Sequence, residues 1–227
     1  MTESNPYGNP EPVPPASQLA VLPFLAAVDG YLREDGDVPG LRITVHRAMT
    51  REGHGYLQQV CAYLREGGGD WRGKVGRFFA VDTGIIGAAY ENGRVWRTKR
   101  FPDIVELNDA LAKDKISPEA IARSWLAVPF LGPQDQVVLI LYADCLQLNF
   151  FADDARAKRV VAMSKGFCRL LDWLQRDPFE NLRNFPLQKG EPFRGVGGLY
   201  SCQENVDGID PPKFAEVPSF NYEATAA

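Results

Sequence analysis

The chain has 227 residues, 45% of them hydrophobic and 24% charged, which excludes global disorder and supplies enough apolar material for one or two domains with a sizeable core. A formal net charge of -4 and a pI near 5.3 argue against a nucleic-acid surface, which needs a concentrated positive face. The N-terminus lacks the basic start and apolar stretch of a signal peptide, and the longest apolar segment, 19–28, is about half a membrane span and contains Pro23.

Residues 1–16 hold five prolines among polar residues and are expected to form a flexible arm. Val21, Leu25, Val28 and Leu32 then recur at helical spacing over 17–34, with Pro23 tolerated if the helix proper starts near it. Leu41, Ile43 and Val45 alternate with Arg42, Thr44 and His46, which predicts a half-buried strand. A second strand over 56–64 pairs with it through the turn at 51–55. Residues 76–81 form a short strand, and 82–93 a short helix that Asp82 or Thr83 caps and Gly93 closes in a left-handed conformation.

A brief strand over 95–98 precedes a helix opened by Pro102, with Ile104, Leu107, Asn108 and Leu111 on one stripe. Ser117, Pro118 and Glu119 repeat that start signal. The apolar runs 125–131 and 137–143 make a hairpin whose turn angles are expected from Gly132 and Pro133. Val137 to Leu141 shows no alternation, so this strand belongs at the centre of the sheet, covered on both faces. Asp153 and Asp154 start a long helix with Val160, Met163, Phe167, Leu170, Leu171 and Leu174 on its apolar stripe. Residues 177–227 lose periodicity, yet their large apolar groups from Phe179 to Tyr222 predict that this extension packs against its own domain, a dimer mate or, as a peptide-like anchor, another protein.

The ordered set of these signposts resembles the GAF domain family. The set comprises the first helix, the strand hairpin, Gly76-Arg77-Phe78-Phe79-Ala80-Val81-Asp82-Thr83-Gly84-Ile85-Ile86-Gly87, a variable helical cover, Ser124 to Pro129, Val138 to Asp144, Phe151 and a closing helix. The resemblance covers roughly 17–176. It implies an α+β fold, an antiparallel sheet with the N- and C-terminal helices packed on one face and a helical or loop cover over a small-molecule pocket on the other. It also implies ligand binding or dimerisation through the terminal helices, and rarely catalysis. The subgroup that binds cyclic nucleotides carries an Asn-Lys pair where this chain has Asp144 and Cys145, so its Lys-Asp bridge cannot form. Neither His46 nor His54 has a cysteine nearby for bilin attachment, and residues 71–124 hold none of the cysteines that the free methionine sulfoxide reductase subgroup uses.

Within that frame Trp96, Trp125 and Tyr142 are expected to line an apolar pocket, with a polar rim from Asp82, Thr83, Ser124 and Asp144. No metal is expected, since two histidines without Cys or carboxylates at ligand spacing do not make a site, and no cofactor is identified. The basic groups Arg72, Lys74 and Arg77, then Arg94, Arg97, Lys99 and Arg100, read as solvated edges, with an anionic ligand as the alternative. Four cysteines without a Cys-x-x-Cys pair fit a reduced, cytoplasmic setting.

The functional expectation is a non-catalytic sensor or regulatory subunit for an unidentified small molecule, a homodimer that signals to a separate effector protein, with no nucleic acid or membrane as partner. The alternative is a structural adaptor whose pocket is filled by its aromatics and which docks partners through the terminal helices and the extension. A thiol redox enzyme using Cys61 or Cys145 is the third.

Overall fold

The structure, a computed structural model, describes residues 16–51, 54–64, 75–81, 84–113 and 122–175. The chain runs α1 (Ala16–Leu32), β1 (Arg42–Arg51), β2 (His54–Gln59), β3 (Phe78–Ala80), α2 (Gly84–Asn92), β4 (Trp96–Arg97), α3 (Ile104–Lys113), β5 (Ser124–Leu131), β6 (Val137–Cys145) and α4 (Asp154–Gln175). Six strands form one antiparallel sheet in the order β3-β2-β1-β6-β5-β4. The fold is therefore α+β, and β6 lies inside the sheet, as its unbroken apolar run predicts. The expected arm, the Ser117-Pro118-Glu119 signal and the C-terminal extension all lie outside the described residues.

Successive side chains alternate between the two sheet faces, so one register assigns every strand. Ile43 and Val45 of β1, Leu126, Val128 and Phe130 of β5, and Leu141 and Ala143 of β6 bury one face against α1 and α4. There Phe24 of α1 stacks on Phe167 of α4 with centroids 4.3 Å apart and meets Phe130 edge-on at 6.2 Å. The other face carries Leu57, Ala127 and Ile140, covered by Ala89, Ile85, Ile86 and Tyr90 of α2. Gly93 closes α2 at φ 60°, in the left-handed region expected of it.

Four local expectations change. Thr44 and His46 are both 0% exposed, so β1 is covered on both faces and its alternation marks a buried polar row instead of a wet one. Strand β2 ends at Gln59, and Leu64 returns only as a single bridge to Ile43. Helix α3 is capped by Asp103, whose Oδ1 accepts from the backbone N-H groups of Val105 and Glu106 at 2.8 and 3.0 Å, with Pro102 just outside.

The fourth concerns the β5–β6 turn, where the left-handed angles fall on Gln134 (φ 66°) and Asp135 (φ 57°), while Gly132 has φ -89°. Two successive positive φ values are what a tight hairpin needs to match the strand twist. Gly132 is required for space, because a Cβ there would lie 2.8 Å from Cγ1 of Val138. No helix of the described residues is long and apolar enough to cross a membrane.

Candidate functional site

The sheet face opposite α1 and α4 carries a band of polar groups beside the apolar patch under α2. Asp144 of β6 and Arg42 of β1 are register partners, and Asp144 is 1% exposed. Arg42 donates from Nε to Asp144 Oδ1 at 2.7 Å and pairs through its second guanidinium arm with Oδ2. The Tyr142 hydroxyl donates to the same Oδ2 at 2.8 Å, and Arg42 also lies over the Tyr63 ring at 5.1 Å. The hydrogen bond to Asp144 holds the Arg42 guanidinium above its ordinary pKa, while burial first and Asp144 second push the Tyr142 phenol well up. This group is a fixed, neutralised ion pair with a neutral phenol attached.

One step along β1, the Thr44 hydroxyl donates to the Cys61 carbonyl at 3.0 Å, and Gln59 Nε2 donates to the same carbonyl at 2.8 Å. His46 faces Gln59 across β1 and β2. Both ring nitrogens of His46 and Oε1 of Gln59 are buried without a hydrogen-bond partner among the described residues. The imidazole is enclosed by Phe79, edge-on at 5.4 Å, and Tyr142 at 6.1 Å. Burial, with a smaller contribution from the Arg77 charge, lowers its pKa to about 4. His46 is therefore a neutral donor and acceptor at physiological pH.

Of the residues expected to form the site, Tyr142 and Asp144 come together and Trp125, half-buried, is Asp144's register partner on the same face. Trp96 lies on that face opposite Ala127 but is 41% exposed. Asp82 and Thr83 lie outside the described residues.

Ser124 is turned to the other face. It pairs with Cys145, and its Oγ accepts from the Phe151 N-H at 2.9 Å, fastening the 3-10 turn Phe150–Ala152 that precedes α4. Ser124→Ala should leave that buried N-H unsatisfied and lower stability by about 1–3 kcal/mol, read from urea unfolding, without altering the polar band. None of the three aromatics lines either of two clefts on the described surface. A cleft of about 710 Å³ lies instead where Ala48, Tyr90 and Val137 meet the hairpin turn, and one of about 550 Å³ lies between β4 and α4.

Arg42, Thr44, His46 and Gln59 are the residues that the sequence-based site omits. A signal for them existed. The turn at 51–55 sets the register in which Arg51 faces His54, and counting outward from it places His46 opposite Gln59.

Cys61 and Cys145 are poorly disposed for redox chemistry. Burial pushes Cys145 up to about 12, despite a bond to the Gln147 carbonyl, and also raises Cys61. Both should react with a disulfide reagent at neutral pH only as fast as the protein opens, and a fast stoichiometric reaction of either in the native protein would contradict this burial.

No family model matches the sequence, and no curated protein does. Among solved structures the chain is similar to type II free methionine-R-sulfoxide reductase from Thermoplasma acidophilum, at 12% identity and TM-score 0.44 over 67% of this chain and 94% of that one. It is also similar to fRMsr of Staphylococcus aureus in complex with substrate, at 12% and 0.41 over 71% and 97%. The nlh2 GAF domain of A. aeolicus in an inactive state is a third, at 14% and 0.36 over 70% and 98%. The antiparallel sheet in the order β3-β2-β1-β6-β5-β4, with α1 and α4 together on one face and α2 on the other, is the arrangement that the ordered sequence signposts imply, and the fold is GAF-like.

Proposed function

We propose that this protein is a cytoplasmic, non-catalytic GAF-type sensor or regulatory subunit that binds a small molecule on the sheet face bearing Arg42, Thr44, His46, Gln59, Trp125, Tyr142 and Asp144, and acts on a separate output protein. Trp96, on the same face, completes the rim in this reading. The observation that carries it is the set of three unpartnered polar atoms on His46 and Gln59. Each buried polar group left unsatisfied costs about 1–3 kcal/mol, and apolar residues at both positions would remove that cost. Their presence at adjoining register positions is accounted for by a polar group that arrives with a ligand. A metabolite screen by thermal shift on the full chain tests this reading. Compounds that raise the melting temperature of the wild type and leave His46→Leu unmoved support it, and a library that shifts nothing removes its basis.

The adaptor reading is favoured by a different observation. Tyr31 of α1 lies near Arg156 and Arg159 of α4, and Phe24 stacks on Phe167, so the two helices run antiparallel. That brings the exposed Leu19 and Leu22 to the same end as the exposed Leu170 and Trp173. Such an apolar patch on paired terminal helices fits a two-fold contact between copies of this chain. Sedimentation at tens of micromolar should show a dimer, and Leu22→Glu with Trp173→Glu should give a folded monomer. A monomeric wild type would count against the contact.

A further inference from the structure

The alternation that places His46 and Gln59 side by side extends one strand further. Gln58 pairs with Phe78, and the Gln59 N-H donates to the Arg77 carbonyl at 2.9 Å, so Arg77 is the next residue in the same row and on the same face. The row thus reads, across three strands, a neutral imidazole, a carboxamide with a free carbonyl oxygen, and a guanidinium. The Phe79 ring connects its ends, with the Arg77 guanidinium 4.4 Å over the ring and the His46 imidazole 5.4 Å from it.

The charges along the face are unequal in availability. Arg42 is committed to Asp144 through Nε and Nη2, and that carboxylate already neutralises its charge. Arg77 is exposed and hydrogen-bonds the Tyr63 phenol, which leaves its charge uncompensated, and no carboxylate pairs with it among the described residues. It is the one cation of the row, at the open end of a site whose inner end is uncharged.

We infer that the ligand of this site is a small organic anion carrying an N-H group, its carboxylate or phosphate held by Arg77 and its N-H given to Gln59 Oε1, with His46 bonding the far end. This rests on the sensor reading and adds the chemical class. Gln59 Oε1 is an acceptor only and demands a donor. A neutral imidazole requires a partner that both accepts and donates, which an amide, lactam or nucleobase edge supplies. Neighbouring strands are about 4.8 Å apart, so the row from His46 to Arg77 spans roughly 10 Å at the backbone, the length of a single substituted ring. His46 and Gln59 have almost no exposure, so entry needs a covering side chain to move, and the half-buried Phe79 ring, edge-on to His46 on the three-residue edge strand β3, is in position to do so.

The test is ligand-observed and protein-observed NMR on the full chain with matched pairs of fragments: orotate against uracil, pyroglutamate against 2-pyrrolidinone, each at millimolar concentration, with acetate and inorganic phosphate as anions lacking the N-H. The expected result is that the N-H-bearing anions shift β1, β2 and β3 amides and bind about tenfold tighter than their uncharged analogues. Arg77→Gln should erase that tenfold, Arg77→Lys should restore part of it, and His46→Leu should abolish binding of both members of a pair. Circular dichroism confirms that each variant folds. Uncharged members binding as well as the anions, with Arg77→Gln without effect, would overturn the anion assignment and leave the sensor reading standing. Acetate and phosphate binding as tightly as the N-H anions would reduce Arg77 to an unselective cation and overturn it too. If no fragment moves these strands, both readings fall.

Discussion

Asp144→Ala should be the most destabilising single substitution on the polar band. It removes the carboxylate that both arms of Arg42 and the Tyr142 hydroxyl share, and leaves a guanidinium stacked on Tyr63 without a counter-charge. Breaking a buried pair by deleting one partner costs about 3–5 kcal/mol, and the low end applies because the Arg42 side chain is 35% exposed and water takes up part of the loss. The melting temperature should fall by roughly 6–12 °C. Arg42→Met combined with Asp144→Leu should recover most of it, since apolar groups of similar size leave neither charge stranded. If the single variant melts with the wild type, the pair is a surface contact and the band is not a rigid support for a ligand.

His46 gives the second large effect, in pH dependence. Its pKa is lowered from 6.5 to about 4 by burial, so the unfolded chain takes up a proton on this side chain before the folded one does. Stability is therefore fully present above pH 6.5 and is lost as the pH falls from there towards 4. Between pH 6.5 and about 4 the loss is at most about 3–4 kcal/mol, at 1.36 kcal/mol per pH unit. Urea midpoints at pH 7 and pH 4.5 should diverge for the wild type beyond what its carboxylates produce in His46→Leu. At pH 7 that variant should be at least as stable as the wild type, because it removes two unsatisfied nitrogens. A substitution that stabilises the fold and abolishes binding is the mark of a residue kept for function. Equal pH profiles for the two proteins would show that the imidazole is hydrated or paired in solution.

The elements with strong periodicity were legible in the sequence, and so was their order. The run from Val137 to Leu141 has no polar position that a wet face would need, which placed β6 inside the sheet. The site was less legible, for reasons specific to particular residues. Trp125 is expected in the pocket lining and Ser124 on its polar rim, but neighbours on a strand point to opposite faces, and the register gives that face to Trp125 and the Phe151 N-H to Ser124. The alternation of Arg42, Thr44 and His46 reads equally as a solvated face or a buried polar row. What decides between them is long-range: Phe79 arrives through β3, and Asp144 through the pairing of β6 with β1. Similarly, the hairpin turn contains Gly and Pro, yet local composition does not reveal that Val138 packs where a Gly132 side chain would be.

If the face carrying His46, Gln59 and Arg77 is built to receive a small molecule, that molecule should survive gentle purification. Native mass spectrometry of the full chain, purified quickly at low salt beside His46→Leu, tests it most directly. The wild type, alone or after incubation with a metabolite extract of its expression host, should carry an added mass of a small organic acid that denaturation releases and the variant lacks. A wild type that remains at its bare mass under both conditions, or an adduct retained equally by His46→Leu, would contradict it.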